Sequence, residues 1–462
     1  LSLVTGPGME PLPPDALRGE ADIPADKLLV ELVETNGLRH WQILLPQTGQ
    51  PLSLPGSAAA RLPRTEAARQ TLGLSRGVAD YLRVIGRWLI GQEEGSLLES
   101  VAEQYDRDMV PQEQLLRIAA DGSLSPLGAE PWWWLDGNVA SQTDRVLLLI
   151  HGTFSKTASP VKGLGSEFLE WANRHYRGVI GFDHWTLSRT PDENARLLWN
   201  LLDERLKKSA GRLDIITHSR GGLVARAFVE LLRHHKPVNR IVFVCTPNGG
   251  TALANPQNWG RAADALVNLI HLDSFGLFGR MSGLLARLSA LGAALATTGD
   301  RLLRQVPGLY AQNPAATGPR DFLGRLQRGS GPPEGVAYAA VAVNYEPPPK
   351  ETNIHSLAKQ VKARQSNALD EATDILFANY NDLVVDTPRV WAVDLSPDVA
   401  ATAAVAPAWL PPARLLIYNP DEAMPVPPGA TVLHTPGVHH TNVFYFPATR
   451  QFLRQQLSHV QT

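Results

Sequence analysis

The sequence has very little cysteine and almost no net charge. Its 462 residues include one cysteine, Cys245, and 43 basic against 45 acidic side chains, a formal charge of −2. A single cysteine excludes an intrachain disulfide. A nearly neutral chain gives no general electrostatic reason to bind nucleic acid or an anionic membrane surface. We therefore expect no nucleic-acid partner, and the lack of disulfides is compatible with the cytoplasm.

Motifs of metal, nucleotide and membrane proteins are missing as well. There is no H-E-x-x-H motif and no pair of cysteines at zinc-binding spacing. The pair Gly163 and Gly165 is followed by Phe168 where a dinucleotide-binding loop needs glycine. The longest apolar stretch is shorter than about 20 residues and contains Arg287, so it is a poor membrane span. No basic-then-apolar leader is visible. We expect no cofactor, no metal, no transmembrane segment and a cytoplasmic location.

What the sequence does contain is an alternation of apolar runs with amphipathic stretches. With 44% hydrophobic and 19% charged residues, the composition is that of an ordinary globular protein. Continuous apolar runs predict strands that are buried on both faces, as in a parallel sheet. The predicted strands are Val146–Ile150, Val179–Phe182, Leu213–Thr217, Arg240–Cys245 and Val336–Val343. Helices are predicted between them, for example Ser166–Tyr176 and a helix from Thr190 to about Lys208. This alternation predicts an α/β fold with helices on both faces of the sheet.

The two flanking regions are predicted from weaker signals. Residues 1–135 are predicted to form an N-terminal α+β module or extension, with a hairpin around Asn36-Gly37 and a helix over residues 77–92. A second helix is predicted over 97–118, with a break before Pro111. Three adjacent tryptophans, Trp132 to Trp134, are expected to pin the end of this region onto a core. Residues 136–462 are predicted to form the catalytic domain, and apolar helices at about 250–335 to form a cap inserted into it.

The stretch Leu213 to Gly222 is the most informative part of the chain. An apolar strand runs into Ser219, two glycines follow at 221 and 222, and an apolar helix begins at once. A serine between strand and helix needs strained backbone angles and small neighbours, which is the arrangement of a nucleophile elbow. Thr217 stands where the usual motif has glycine, so some crowding is expected. The competing interpretation is that Ser219 only caps a helix.

A nucleophilic serine needs a base, and the base needs an acid that orients it. Two acids are candidates, Asp382 and Asp386, on either side of Leu383–Val385, a short apolar run that is predicted to be a strand; Asp382 is preferred. Two adjacent histidines, His439 and His440, lie between the last predicted strand and helix, and His440 is preferred.

An anionic intermediate needs backbone N–H donors. The sequence Ile150-His-Gly-Thr-Phe154 follows the first strong strand, and Gly152 allows a close turn. We expect the Thr153 N–H and the Arg220 N–H to form the oxyanion hole. His151 is expected to hold the loop by hydrogen bonds.

Together these motifs resemble the α/β-hydrolase superfamily, and within it bacterial lipases and esterases. The matching pieces are His151-Gly152, His218-Ser-Arg-Gly-Gly222, Asn381-Asp-Leu-Val-Val385 and Gly437-Val-His-His-Thr-Asn-Val443. Phe182-Asp-His-Trp-Thr-Leu-Ser188 looks like the GPI inositol-deacylase-like branch. The resemblance covers roughly residues 144–460. It implies an α/β-hydrolase fold, with Ser219 as nucleophile, Asp382 as acid and His440 as base.

Two functional hypotheses follow. The first is a serine carboxylic-ester hydrolase that works through an acyl-enzyme, on a small-molecule or lipid-like ester. The second is a binding or scaffold protein that keeps the fold, with the N-terminal module recruiting a partner.

Overall fold

The structure is a computed structural model. It describes residues 96–128, 144–255, 306–316, 321–328, 331–347, 380–393 and 410–458, and residues 9–12, 27–35, 38–44, 51–52, 83–91, 132 and 318. Most of the predicted cap at about 250–335 lies outside the described residues.

The described strands form two sheets that belong to different compact units of the chain. The first sheet is antiparallel and has the order β1-β5-β2-β3-β4. Its strands are β1 (Met9–Leu12), β2 (Lys27–Thr35), β3 (Leu38–Leu44), β4 (Pro51–Leu52) and β5 (Arg83–Gly91). Strands β2 and β3 pair antiparallel from Thr35 opposite Leu38, so the hairpin predicted around residues 36 and 37 is confirmed.

The second sheet has nine strands among the described residues, in the order β14-β13-β12-β11-β10-β8-β9-β6-β7. They are β6 (Gln114–Ile118), β7 (Leu124–Pro126), β8 (Val146–Ile150), β9 (Gly178–Asp183), β10 (Leu213–His218), β11 (Val238–Val244), β12 (Ala337–Val343), β13 (Leu415–Tyr418) and β14 (Thr431–Leu433). Strands β8 to β14 pair parallel, whereas β6 is antiparallel to β9 and to β7.

Helices connect the parallel strands. The described α-helices are α1 (Ser96–Met109), α2 (Ala158–His175), α3 (Pro191–Leu201), α4 (Glu204–Lys208), α5 (Gly221–Arg226), α6 (Pro307–Tyr310), α7 (Phe322–Gln327) and α8 (Pro447–Ser458). A π-helical turn, Ala227–Leu231, continues α5. Short 3₁₀ helices lie at Ala252–Ala254, Thr387–Val390, Pro412–Arg414 and Val443–Tyr445.

Local sequence explains where α3 begins and ends. The Thr190 side chain accepts a hydrogen bond from the Glu193 N–H, and the Glu193 carboxylate accepts from the Thr190 N–H. This capping box fixes the start that the sequence predicted. The predicted helix runs to about Lys208 without a break, but the observed one ends at Leu201, and Asp203 caps a new helix, α4.

Both faces of the parallel sheet are covered by core. All five residues of β8 are buried, and they alternate between two hydrophobic clusters. Leu148 and Ile150 belong to one cluster, and Leu147 and Leu149 to the other. A strand that is apolar at every position is therefore explained by burial on both sides. This mostly parallel sheet, with β8 and β9 exchanged in the strand order, has the α/β-hydrolase fold.

Three local predictions are wrong. Residues 83–91 form strand β5 where a helix was predicted over 77–92, because pairing with β1 and β2 outweighs the helical spacing of the apolar residues. The helix predicted over 97–118, with a break before Pro111, does end at Met109, but residues 114–118 beyond the break form strand β6 and not a helix. Residues 383–385, predicted as a strand, form a bend with Leu383 at φ 79°.

The predicted boundary at residue 135 stays a prediction. Strands β6 and β7, on the N-terminal side of it, pair into the same sheet as the strands on its C-terminal side. Trp132, from the cluster of three tryptophans, is buried, and its backbone bonds to Asp203 and Arg205. No helix among the described residues is both long enough and apolar enough to cross a lipid bilayer.

One close contact tests this packing. A Cβ atom on Gly181 of β9 would lie 2.1 Å from the Thr157 Cγ2 and 3.1 Å from its Cβ. We expect Gly181→Ala to lower the free energy of unfolding by about 1–3 kcal/mol, the usual cost of overpacking. Urea denaturation measures this.

The matched control is Gly181→Ala combined with Thr157→Ala, which removes the clashing atoms. Adding Gly181→Ala to Thr157→Ala should therefore lower the free energy of unfolding much less than adding it to the unaltered chain does. Equal stability of Gly181→Ala and the unaltered chain would contradict the close packing.

Candidate active site

Ser219 lies immediately after β10, on the turn that enters α5. Its backbone has φ 52°, in the left-handed region that residues with a side chain avoid. The Ser219 N–H donates to the Val244 carbonyl at 2.9 Å, which ties the turn to the neighbouring strand β11. The side chain is largely buried, with 5% of the residue exposed. The strained turn expected from the sequence is therefore present.

The glycines around Ser219 are required by contact distances. A Cβ on Gly221 would lie 2.4 Å from the Ile150 carbonyl oxygen, and one on Gly222 would lie 2.2 Å from Thr246 side-chain atoms. A Cβ on Gly152 would lie 2.6 Å from the Ser219 Cβ. The loop after β8 therefore passes directly against the serine, and no side chain fits between them.

Thr217 is accommodated at the position where the usual motif has glycine. It is fully buried, and its hydroxyl donates to the Val242 carbonyl at 3.3 Å. The side chain thus bonds to β11 without displacing the turn.

His440 and Asp382 form a hydrogen-bonded pair. The His440 Nδ1 lies 2.7 Å from the Asp382 Oδ2, and the His440 backbone N–H donates to the Asp382 carbonyl at 3.0 Å. The other carboxylate oxygen accepts from the N–H groups of Val384 and Val385 at 2.9 and 2.6 Å. An ionised carboxylate only accepts, so Nδ1 carries the proton and Nε2 keeps a lone pair. That is the tautomer a general base needs.

The two alternative residues have other partners. His439 contacts Thr441 through its Nδ1 at 3.2 Å, and its ring packs edge-on against Tyr345. Asp386 lies 3.1 Å from the Arg389 guanidinium. The structure brings His440 and Asp382 together, and it places His439 and Asp386 in different contacts.

His218 links the serine turn to the loop that carries His440. Its Nε2 donates to the His440 backbone carbonyl at 2.9 Å, because a carbonyl can only accept. The two imidazole rings have centroids 4.9 Å apart. Burial, followed by repulsion from His440, lowers the pKa of His218 to about 3. His218 is therefore neutral. Its hydrogen bond connects the turn that carries Ser219 to the segment that carries His440.

Two backbone donors lie near Ser219, one on the loop after β8 and one on the turn after β10. Within the described residues, neither the Thr153 N–H nor the Arg220 N–H has a hydrogen-bond acceptor. Phe154, the next residue of the loop, has φ 57°. Two such N–H groups beside a serine can hold an oxyanion.

His151 supports this loop. Its Nδ1 bonds to the Gly152 carbonyl at 3.0 Å, and its Nε2 accepts from the His184 N–H at 3.2 Å. The rings of His151 and His184 are stacked with centroids 4.1 Å apart. Burial lowers the pKa of both imidazoles. His151 thus has the hydrogen-bonding role predicted for it.

The Arg220 side chain was not predicted to contribute, but it is fully buried beneath the site. It donates to the backbone carbonyls of Arg189 and Gly308 and to the Asn194 amide oxygen. Burial lowers the pKa of its guanidinium to about 10, so the group stays charged at neutral pH. These contacts hold the side chain of the residue that follows Ser219.

Cys245 is the third potential metal ligand near the pair. Its sulfur and one ligand atom each from Asp382 and His440 all lie within 4.8 Å of one another. The nitrogen and oxygen of the pair are 2.7 Å apart, whereas two ligands of one tetrahedral zinc ion lie more than about 3 Å apart. The spacing favours a hydrogen bond over a shared metal. Burial and the nearby Asp382 charge raise the pKa of the Cys245 thiol well above its usual value.

Residues 133–407 match the model of the family described as "Domain of unknown function (DUF7379)". A search of curated protein sequences found no match.

Solved structures gave similarities at low identity. Lipase 1 from Pelosinus fermentans is 12% identical, with a TM-score of 0.42 over 69% of this chain and 99% of that one. The mature lipase BlEst2 of Bacillus licheniformis is 13% identical, with a TM-score of 0.37 over 73% and 96% of the chains. Carboxylesterase CesB (YbfK) of Bacillus subtilis is 11% identical, with a TM-score of 0.33 over 79% and 99%.

The buried His218 should make the folded protein less stable in acid. Its pKa is about 3 in the folded chain and about 6.5 when unfolded, so the unfolded state binds more protons between these values. The free energy of unfolding should therefore fall as pH drops from about 6.5 towards 3. His218→Gln keeps an N–H donor but cannot titrate, so its stability should fall less over that range. Urea denaturation at a series of pH values measures the difference, and parallel curves would contradict a neutral, buried His218.

Proposed function

The chain belongs to the family described as domain of unknown function DUF7379, and we propose that it is a serine carboxylic-ester hydrolase. The observation that carries the proposal is the geometry around Ser219. A serine in the left-handed region stands near two N–H groups that have no acceptor among the described residues, and next to the segment that carries a bonded His–Asp pair.

In the proposed reaction, His440 Nε2 removes the Ser219 hydroxyl proton while the oxygen attacks the ester carbonyl. Asp382 stabilises the imidazolium through the Nδ1–H bond. The Thr153 and Arg220 N–H groups hold the oxygen that becomes negative. The imidazolium then protonates the departing alcohol, which leaves an acyl-enzyme. Water, activated by the same histidine, releases the acid.

The finer assignments are also proposals. The sequence resemblance supports a lipase- or esterase-like enzyme of the GPI inositol-deacylase-like branch. The apolar helices predicted over about 262–306 suggest an ester with a hydrophobic acyl chain, but they lie outside the described residues. A catalytic domain over residues 136–462 remains part of this proposal.

The first test is turnover and covalent labelling. A short activated ester should give a burst of released alcohol, and an organophosphonate should add one phosphonyl group to Ser219, seen by mass spectrometry. Ser219→Ala should abolish both. Ester turnover unchanged in Ser219→Ala, with contaminating activity excluded, would favour the scaffold hypothesis instead.

The second test uses the two adjacent histidines. We expect His440→Gln to lower kcat by at least about 10³-fold, because the base is lost. His439→Gln is the matched control and should keep activity within a few-fold, since His439 contacts Thr441 and Tyr345. Asp382→Asn should lower kcat by about 10⁴-fold by reversing the tautomer of the histidine. Activity lost in His439→Gln and kept in His440→Gln would reverse the assignment.

A further inference from the structure

A buried amide reaches the proposed oxyanion loop from a distant part of the chain. Gln312, just after α6, is 4% exposed. Its Nε2 donates to the Thr153 Oγ1 at 3.2 Å and to the Gly308 carbonyl at 3.0 Å, although Gln312 and Thr153 are 159 residues apart in sequence. Its backbone carbonyl accepts from the Thr251 N–H at 3.0 Å. Both the side chain and the backbone of Gln312 are therefore held by hydrogen bonds.

The chemistry of its two side-chain partners fixes which way the amide faces. The Gly308 carbonyl can only accept, so the atom within bonding distance of it must be the NH₂ group. The same nitrogen faces Thr153, and hence the Thr153 hydroxyl oxygen accepts that bond. A hydroxyl that accepts from an amide keeps its own proton for another acceptor.

The Gly308 carbonyl, which accepts from the Gln312 amide, lies in a rigid segment. The Gly308 N–H donates to the Leu187 carbonyl at 2.9 Å, and the Gly308 carbonyl also accepts from the Arg220 Nε at 3.3 Å. A Cβ on Gly308 would lie 1.9 Å from the Thr186 carbonyl oxygen, so this backbone is packed tightly. Gln312 therefore presents its second N–H in a fixed direction.

The residue after Thr153 is held independently. The Phe154 N–H donates to the Thr186 hydroxyl at 3.4 Å, and that hydroxyl lies 3.4 Å from the carboxylate of buried Asp106. Asp106 also accepts from the N–H groups of Thr186, Leu187 and Ser188 at 2.8–3.2 Å. The loop is thus fixed next to Thr153, which leaves the hydroxyl as the group that Gln312 controls.

We propose that Gln312 is a positioning residue that orients the Thr153 hydroxyl, so that this hydroxyl donates a third hydrogen bond to the oxyanion. The inference rests on the proposed ester hydrolysis at Ser219. As Ser219 Oγ bonds to the carbonyl carbon, the carbonyl π electrons move to the oxygen. That oxygen then accepts from the Thr153 N–H, the Arg220 N–H and the Thr153 hydroxyl. No proton is transferred in this step from Thr153.

The variants separate the hydroxyl from its orientation. Thr153→Val removes the hydroxyl at similar volume, and we expect kcat to fall by about 10²–10³-fold with KM changed little. Thr153→Ser keeps the hydroxyl and should stay within several-fold. Gln312→Met keeps the approximate shape but has no N–H, and we expect kcat to fall by about 10-fold because the hydroxyl is no longer oriented.

The decisive measurement is a double-variant cycle. In the Thr153→Val background, Gln312→Met should cost little more, because there is no hydroxyl left to orient. A merely structural Gln312 would cost the same factor in both backgrounds and would lower the thermal unfolding midpoint to match. Affinity for a boronic acid, which forms a tetrahedral adduct on serine, should fall in step with kcat across the series.

The outcomes distinguish the two proposals. If ester turnover depends on Ser219 but Thr153→Val equals the unaltered chain, or the Gln312 effect is the same in both backgrounds, the inference is overturned and the hydrolase stands. If no ester is turned over, or turnover survives Ser219→Ala, both are overturned.

Discussion

The backbone of Ser219 is held at φ 52°, and the surrounding structure is arranged so that this conformation persists. A non-glycine residue in the left-handed region costs about 1–3 kcal/mol. The turn is held by a hydrogen bond to β11 on one side and by the loop after β8 on the other, where Gly152 lies against the serine. Gly221 and Gly222 let α5 start close to both strands. Ser219 consequently lies at the carboxyl edge of the sheet, directly after β10.

From this turn, polar contacts extend in three directions through the buried edge of the sheet. His218 bonds to the loop of His440, Arg220 bonds to the segment that carries Gly308, and the loop after β8 bonds to Thr186 and Gln312. Buried polar groups are costly unless they are paired. Each of these contacts ends on a backbone carbonyl or a second side chain, and of the Arg220 guanidinium only Nη1 is without a partner among the described residues. The rigidity of the site comes from these contacts as much as from the sheet.

The sequence predicts the parallel part of the fold well, because a strand that is buried on both faces is recognisable as a continuous apolar run. A strand such as β8 must be apolar at every position, and the alternation with helices then fixes a parallel sheet. Strand β5 shows the limit of this reasoning. Its apolar residues fit a helical face, but pairing with antiparallel neighbours in the first sheet decides its conformation. The sequence of residues 83–91 alone does not indicate that pairing.

The candidate site was predictable where a residue type has few chemical uses. A serine before two glycines, and a histidine loop before the last helix, point to particular positions, and His440 and Asp382 do lie in contact. Asp106, Gln312 and the side chain of Arg220 carried no such signal. Asp106 and Gln312 are distant in sequence from the loop they support, and the Arg220 side chain bonds to residues that are distant from its own turn. An isolated acid, amide or arginine is also common on any surface. Only the fold reveals that they are buried together.

The thiol of Cys245 lies within 4.8 Å of ligand atoms of the proposed acid and base, and it is fully buried with a raised pKa. Alkylating agents and oxidants react with the thiolate, and this sulfur is protonated and shielded at neutral pH. Since it is also the sole cysteine of the chain, the folded protein offers thiol chemistry no exposed target. Reducing agents and electrophilic thiol probes can therefore be used beside serine-directed reagents without competing for the same centre.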